Sequence, residues 1–322
     1  MQTNKVLFTN CSLSSKEIAL LRKGNVEIIK GAEHLSEDEL IEKLQGCQGY
    51  VIGGIGKATK RVIDSTNLKI INFYGTGYEN YIDLAAAAAK NIVVANTPKA
   101  NAYTVAEFTV ALILNSVKQI ARLHNLVRQG KWGLRQAFNL KDKTLGVIGM
   151  GTIGQHVAKI MSHGFGMKII YVSRNSKPNL EKELQAHKVS LDELLSSADV
   201  VTIHTPCNDE TKGMIGEAEL SKMQTHAILV NTARADIVNG KALRQALDKS
   251  QLATAAFDTY YQEPAPSIEE DAWGLLSLPD DKFILTPHTA YNSKEAFQGM
   301  NDMVVENLTA FFKGEKPPYS VN

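Results

Sequence analysis

Short apolar runs separated by amphipathic stretches repeat along the chain. In the first hundred residues, the runs at 5–9, 26–29, 50–52, 68–73 and 92–95 read as strands. The stretches 14–21, 36–44 and 84–90 read as helices, the first opened by a Ser cap and the second by Ser36 and Glu39 at capping-box spacing. Apolar strands alternating with helices predict parallel βαβ units covered on both faces. Asn96-Thr97-Pro98 interrupts the pattern, and one long helix is predicted over roughly 104–129. Its first half, from Val105 to Leu114, is apolar nearly all round, which predicts burial on several sides at an interdomain or subunit interface. A second series follows, with strands at 144–148, 168–172, 200–204, 227–230, 253–257 and 283–285. Helices are predicted at 152–163, 191–197, 240–249 and about 293–313, the last with Asn292 as N-cap. At ~30 Å, that last helix is long enough to reach back onto the first series. The expected fold is α/β: two doubly wound parallel-sheet domains with an interdomain cleft. One domain is discontinuous (1–101 with 289–322) and the other spans 102–288.

Composition removes several classes. Lys plus Arg is 35 and Asp plus Glu is 34, so the net charge is +1 and no electrostatic footprint for nucleic acid or an anionic membrane exists. Cys11, Cys47 and Cys207 are far apart, forming neither a disulfide framework nor a metal knuckle, which suggests a reducing compartment. No HExxH or carboxylate cluster suggests a metal. The N-terminal segment lacks the pattern of a secretory signal, and the most apolar stretch is well short of the roughly 20 residues that span a bilayer. The expectation is a soluble, cytoplasmic protein.

The strongest local signal is Gly149-Met150-Gly151-Thr152-Ile153-Gly154, a GxGxxG between an apolar strand and a helix. Gly149 would allow the tight turn, Gly151 the approach of a pyrophosphate and Gly154 close helix–strand packing. The helix N-terminus, with Thr152 and Ile153, offers free N–H groups and a positive dipole end. The alternative is a glycine-rich turn with no ligand. In a Rossmann-type domain binding NAD, the end of the next strand carries Asp or Glu for the ribose. Here Ser173-Arg174-Asn175-Ser176 stands instead: donors and a positive charge, suited to a 2′-phosphate, or else a solvated loop.

With these motifs the chain resembles the D-isomer-specific 2-hydroxyacid dehydrogenases. The resemblance spans nearly the whole length through Gly75-Thr76-Gly77-Tyr78-Glu79-Asn80-Tyr81-Ile82-Asp83, Thr104-Val105-Ala106-Glu107 and the glycine motif. It continues through Val230-Asn231-Thr232-Ala233-Arg234, Phe257-Asp258, Glu263-Pro264 and Thr286-Pro287-His288. It implies Rossmann/flavodoxin-like domains and a catalytic trio of Arg234, Glu263 and His288. Arg234 would clamp a carboxylate bidentately, and His288 would be the acid/base. Glu263 would favour the imidazolium. The implied cofactor contacts are the glycine turn, Ser173, Arg174, Asn175, Thr205, Pro206, Thr232 and Ala233, with Asp258 on the nicotinamide carboxamide. His204, the rival histidine, is expected to be structural or lining. Substrate is expected at Gly53, Gly54, Ile55, Thr76 and Gly77, whose backbone N–H groups face a carboxylate held by Arg234 and His288.

Three departures from related patterns bear on substrate. Phosphoglycerate dehydrogenases tend to place Arg where Gly53 stands, so a phosphorylated substrate is disfavoured unless Lys57, Lys60 or Arg61 compensates. Glu79 replaces the more usual Asp. Formate dehydrogenases use Gln in the region of Glu263, so formate is also disfavoured. The expected function is reduction of a small 2-oxo acid, glyoxylate or hydroxypyruvate, to the D-2-hydroxy acid with NADP(H) preferred and NAD(H) possible, without metal. The resemblance also implies a homodimer through the helix from Thr104 and the segment to Trp132. Alternatives are an NAD-linked relative acting on D-lactate or D-3-phosphoglycerate, and a dinucleotide-sensing protein like the co-repressors of this fold.

Overall fold

The first unit is built on strands that are mostly buried, apart from the one at residues 26–30. The computed structural model describes residues 3–32, 35–54, 56–133 and 136–322. These fall into two compact units, Met1–Asn101 with Asn292–Asn322, and Ala102–Tyr291. The first contains β1 (Asn4–Thr9), α1 (Ser15–Lys23), β2 (Val26–Lys30), α2 (Glu37–Leu44), β3 (Gly49–Ile52), α3 (Lys60–Asp64), β4 (Ile70–Phe73), α4 (Leu84–Ala89) and β5 (Val93–Ala95). All five strands pair in parallel in the order β2-β1-β3-β4-β5. Leu7, Tyr50, Ile52, Ile71 and Val94 fill its core. Ser14 with Glu17 and Ser36 with Glu39 form complete capping boxes on α1 and α2.

The second unit contains α5 (Ala102–Lys118), α6 (Ile120–Arg128), β6 (Thr144–Ile148), α7 (Thr152–Phe165), β7 (Lys168–Val172), α8 (Pro178–Leu184), β8 (His187–Lys188) and α9 (Leu191–Ser197). It continues with β9 (Val200–Ile203), α10 (Glu217–Leu220), β10 (Ile228–Asn231), α11 (Gly240–Asp248), β11 (Thr254–Phe257) and β12 (Phe283–Leu285). The chain then returns to the first unit as α12 (Lys294–Phe312). The seven strands run in the order β12-β11-β10-β9-β6-β7-β8, again all parallel. Connections reverse direction between β6 and β9, and such a switch point is where open α/β sheets bind ligands, outside the strand carboxyl ends.

Three sequence expectations change. The single helix over 104–129 is two helices: Gln119 adopts φ 53°, and the Asn115 side chain accepts the Ala121 N–H at 2.9 Å across the break. The apolar helix does not need another domain to cover it, because α5 packs on α7, β10 and β11 of its own unit. Ser293, not Asn292, caps α12, its side chain accepting the Ala296 N–H at 3.0 Å. The short helices α3, α8 and α10, of five, seven and four residues, were not among the predicted elements. Among the described residues, no helix is long and apolar enough to cross a membrane.

At the amino-terminal edge of the second sheet, Asp199 is nearly buried. It accepts the Thr144 N–H at 2.8 Å, His226 Nε2 at 2.8 Å and Lys143 Nζ at 3.2 Å. Burial pushes its carboxyl up, but these donors prevail and hold it below the usual carboxylate range. A depressed native pKa gives stability that is present above the unfolded-state pKa and lost as pH falls through the native one. Asp199→Asn is expected to cost roughly 1–3 kcal/mol at neutral pH. The difference from the parent should begin to shrink below about pH 4 and vanish once pH has fallen through the depressed native pKa, where both chains carry a neutral side chain. Urea unfolding at the two pH values measures this, and an equal cost at both would exclude the charge as the cause.

Candidate active site

The glycine turn follows β6 as the strand's carboxyl end meets the switch point. Gly149 has φ 97°, and a Cβ there would lie 2.6–2.7 Å from the backbone of His204 and Thr205, which follow β9. A Cβ on Gly154 would lie 2.3 Å from the Gly149 carbonyl oxygen. Gly151 is different: a Cβ there meets nothing within 4 Å, and no side chain caps α7, which starts at the next residue. The N–H groups of Thr152 and Ile153 therefore open a 14-residue helix onto free space. Open space at a long helix's N-terminus, beside turn glycines that have no room for a side chain, fits the pyrophosphate of a dinucleotide.

Ser173 is half-buried at the end of β7, and Arg174 and Asn175 are exposed beyond it. Lys188 Nζ donates to the Arg174 carbonyl at 3.1 Å, so a second cation stands at this loop. Thr205 is half-buried and Pro206 exposed after β9. Thr232, nearly buried, pairs its hydroxyl with Thr109 of α5 at 2.9 Å. His204 packs its ring on the Thr202 hydroxyl (Nε2 to Oγ1, 2.9 Å), and burial pushes its pKa down to about 3. Burial thus disfavours its charged form.

Arg234 follows β10. The turn that carries it is fixed by Asn231, fully buried, whose side-chain oxygen accepts the Ala233 N–H at 3.0 Å while its amide donates to the Arg234 carbonyl at 2.9 Å. The guanidinium donates to the Ala233 carbonyl at 2.9 Å. Glu263 and His288 lie on the loops after the adjacent strands β11 and β12. His288 Nδ1 donates to Glu263 Oε2 at 2.8 Å, and the other oxygen, Oε1, accepts the Tyr260 N–H at 3.1 Å. Burial pushes the Glu263 carboxyl up. The hydrogen bond and charge of His288, the Tyr260 N–H and the Arg234 guanidinium together hold it below its ordinary value. Arg234, Glu263 and His288 thus act on one another electrostatically within a single unit.

His288 sits at φ 49°, an unusual conformation that something must impose. Its N–H donates to the Asp258 carbonyl at 2.7 Å. The Asp258 carboxylate accepts the Thr286 hydroxyl at 2.5 Å, the Thr289 N–H at 3.1 Å and the Ala290 N–H at 2.8 Å. Asp258 is 1% exposed, and burial raises its pKa against the pull of these donors. Its carboxylate is therefore engaged with the His288 loop. The bonds from Thr289 and Ala290 also keep both residues with the second unit. Asn231 and Thr286 stood inside the quoted motifs, and Tyr260 between two of them, without a role. A polar residue directly after an apolar strand was the available signal for Asn231.

In the first unit, Gly53 and Gly54 follow β3, and Thr76 and Gly77 follow β4. The Gly53 N–H donates to the Thr9 carbonyl at 3.0 Å, so it is not free for a ligand, contrary to expectation. Among the described residues, the N–H groups of Gly54, Thr76 and Gly77 have no hydrogen-bond partner. Ile55 lies outside the described residues. A Cβ at Gly53 would stand 2.6 Å from the carbonyl oxygens of Thr9 and Asn10, so no Arg fits there without a backbone shift. Lys60 is paired with Asp64 at 2.5 Å, and Arg61 with Glu37 and Asp38, leaving Lys57 as the exposed cation nearest this loop in sequence. Among the described residues, no group of three or more His, Cys, Asp or Glu is placed to hold a metal ion.

Comparison with known proteins agrees with this layout. Residues 110–290 match the family model described as D-isomer specific 2-hydroxyacid dehydrogenase, NAD binding domain. A glyoxylate reductase of Thermococcus litoralis is 37% identical over 307 residues, covering 92% of this chain and 90% of that protein. The structure of a glyoxylate reductase from Paecilomyes thermophila superposes with a TM-score of 0.86 at 29% identity, covering 100% of this chain and 99% of the other. An acyclic imino acid reductase in complex with NADPH and D-Arg superposes with a TM-score of 0.85 at 26% identity, covering 99% and 100%. With a cradle suited to a dinucleotide, a His–Glu hydrogen bond between adjacent loops and relatives matched along almost the whole chain, this protein belongs to the D-isomer-specific 2-hydroxyacid dehydrogenase family and is an NAD(P)-dependent oxidoreductase.

Proposed function

We propose that this enzyme reduces a small, unphosphorylated 2-oxo acid, glyoxylate or hydroxypyruvate, to the D-2-hydroxy acid with NADPH as the preferred cofactor. The observation that carries the reading is the His288–Glu263 hydrogen bond beside Arg234. A carbonyl reduction needs a proton at the developing alkoxide and a fixed carboxylate. With Nδ1–H held by Glu263, the other ring nitrogen of His288 is left to give that proton. Arg234 offers paired N–H groups to the substrate carboxylate. The nicotinamide, when bound, supplies the hydride. Gly54, Thr76 and Gly77 remain candidate N–H donors to substrate. The steric closure at Gly53 and the engagement of Lys60 and Arg61 argue against a phosphate on the substrate.

Cofactor preference rests on the loop after β7, where Ser173, Arg174 and Asn175 present donors and no carboxylate. The amine of Lys188 adds positive charge at the Arg174 carbonyl. A homodimer is proposed through α6 and the segment to Trp132, not through α5. No residue of α6 is buried, and Ile120 and Val127 share a face at i,i+7 while Trp132 is 91% exposed. Sedimentation should give a dimer at micromolar concentration that Ile120→Glu with Val127→Glu converts to monomer. A monomeric parent would refute it.

His288→Ala is expected to lower kcat by about 10²–10⁴-fold with little change in cofactor affinity. Arg234→Ala should raise KM for the oxo acid as well as lowering kcat, for a loss of about 10–150-fold in kcat/KM, the equivalent of roughly 1.5–3 kcal/mol. Steady-state kinetics checks both, and near-parental turnover of a folded His288→Ala would exclude the acid–base assignment. In a panel of NADPH and NADH against glyoxylate, hydroxypyruvate, pyruvate and phosphohydroxypyruvate, NADPH should lead by at least about tenfold in kcat/KM. That margin should narrow with added salt, and Ser173→Asp with Arg174→Ala should reverse it. Equal use of the two cofactors by the parent would identify this loop as solvated and uninvolved.

A further inference from the structure

The chain that carries Glu263 is held in an unusual way. Residues 259–266 make no backbone–backbone hydrogen bond among the described residues, although an acid–base pair works only if its carboxylate stays within a fraction of an ångström of its place. What fixes this segment is a pair of tyrosines, Tyr260 buried and Tyr261 partly buried. The Tyr261 hydroxyl donates to the Val238 carbonyl at 2.9 Å. Tyr260 is 7% exposed, with its ring against Phe283 (centroids 6.3 Å apart) and against Tyr261 (5.4 Å). Its hydroxyl donates to Asp271 Oδ1 at 2.5 Å. Asp271 is in turn immobilised, since it accepts the Trp273 N–H at 3.2 Å and the Leu276 N–H at 2.8 Å. Tyr260 therefore has one end locked to a carboxylate eleven residues away, and its backbone N–H at the other end holds Glu263 Oε1 at 3.1 Å.

Resting on the acid–base reading of His288 and Glu263, we propose that Tyr260 and Asp271 form a positioning pair, in which the phenol–carboxylate bond fixes the Tyr260 backbone and thereby aims the Glu263 carboxylate at His288. Neither residue touches substrate or cofactor. Their contribution is to hold Oε1 of Glu263 by a fixed N–H so that Oε2 remains directed at Nδ1. A carboxylate free to rotate would spend part of its time turned to water, and the imidazolium would be less favoured in that time. The Asp271 carboxylate is suited to the task because a phenol donates a strong bond to a charged acceptor. The bond also lies in a partly enclosed setting with the neighbouring backbone donors satisfied.

The experiment compares Tyr260→Phe, Asp271→Asn and Asp271→Ala with the parent. The readouts are kcat, KM for the best oxo acid, KM for NADPH, the pH profile of kcat/KM and thermal unfolding. Tyr260→Phe keeps the ring and the backbone N–H and loses only the phenol bond. It should lower kcat by about tenfold with KM for NADPH unchanged, and the alkaline fall-off of kcat/KM should move about half a pH unit lower as the Glu263 charge is held less well against His288. Asp271→Asn, which keeps an acceptor for the phenol, should retain most of the rate. Asp271→Ala should resemble Tyr260→Phe, and the two combined should be no slower than the slower single variant, as expected for groups acting through one bond. A Tyr260→Phe variant with parental kcat and pH profile would overturn the proposal, and so would one that merely melts earlier with the pH profile unmoved. Glu263→Gln separates the two levels of the argument. If it does not move the alkaline fall-off, the acid–base reading and the positioning pair fall together. If it moves that fall-off to lower pH while Tyr260→Phe does not, the positioning pair alone falls.

Discussion

The burial of Asp258 is the constraint on which the active-site geometry depends. A carboxylate at the end of β11 that is 1% exposed must be met by donors, and the donors present are Thr286 and the backbone N–H groups of Thr289 and Ala290. Meeting that requirement draws the loop after β12 onto the end of β11. With its own N–H on the Asp258 carbonyl, His288 is forced to a positive φ. The histidine's direction toward Glu263 is thus a consequence of a buried charge one residue beyond a strand. A surface loop could carry the same residues, but not in a fixed relation. The bonds also explain why the second unit extends to Tyr291 before the chain returns to the first.

Sterics does the same for the cofactor cradle that the buried charge does for the acid–base pair. At the β6/β9 switch point, Gly149 approaches the His204–Thr205 backbone and Gly154 approaches Gly149 itself, at separations no Cβ tolerates. The close approach brings the α7 N-terminus to the strand ends, and Gly151 keeps the space before it empty. Burial disfavours the charged form of the neighbouring His204, whose ring partner is the Thr202 hydroxyl, whereas His288 is paired with a carboxylate.

Packing as well as composition shapes the loop after β3. At position 53 the carbonyl oxygens of Thr9 and Asn10 already occupy the direction a side chain would take. The cations that follow in sequence are neutralised locally, Lys60 by Asp64 within one helix turn and Arg61 by Glu37 and Asp38 from α2. Exposed pairs of this kind contribute little to stability, yet they cancel charge that a phosphate would otherwise find.

The sequence by itself determined the fold class, most strand positions, the Ser14 and Ser36 caps and the residue types at the candidate site. Periodicity, capping and glycine spacing are local properties written in consecutive residues. It could not show that 104–129 breaks at Gln119, because the break is a backbone conformation bridged by Asn115 rather than a change in hydrophobicity. Nor could it show that α5 is covered by its own sheet, leaving α6 as the face without cover, since hydrophobicity states that a surface must be buried but not against what. Glu263 and His288 are 25 residues apart, and Tyr260 and Asp271 are eleven apart. Their pairing, the engagement of the Asp258 carboxylate and the use of the Gly53 N–H by Thr9 were decided only in three dimensions, where loops from neighbouring parallel strands are brought side by side and each buried polar group must find a partner.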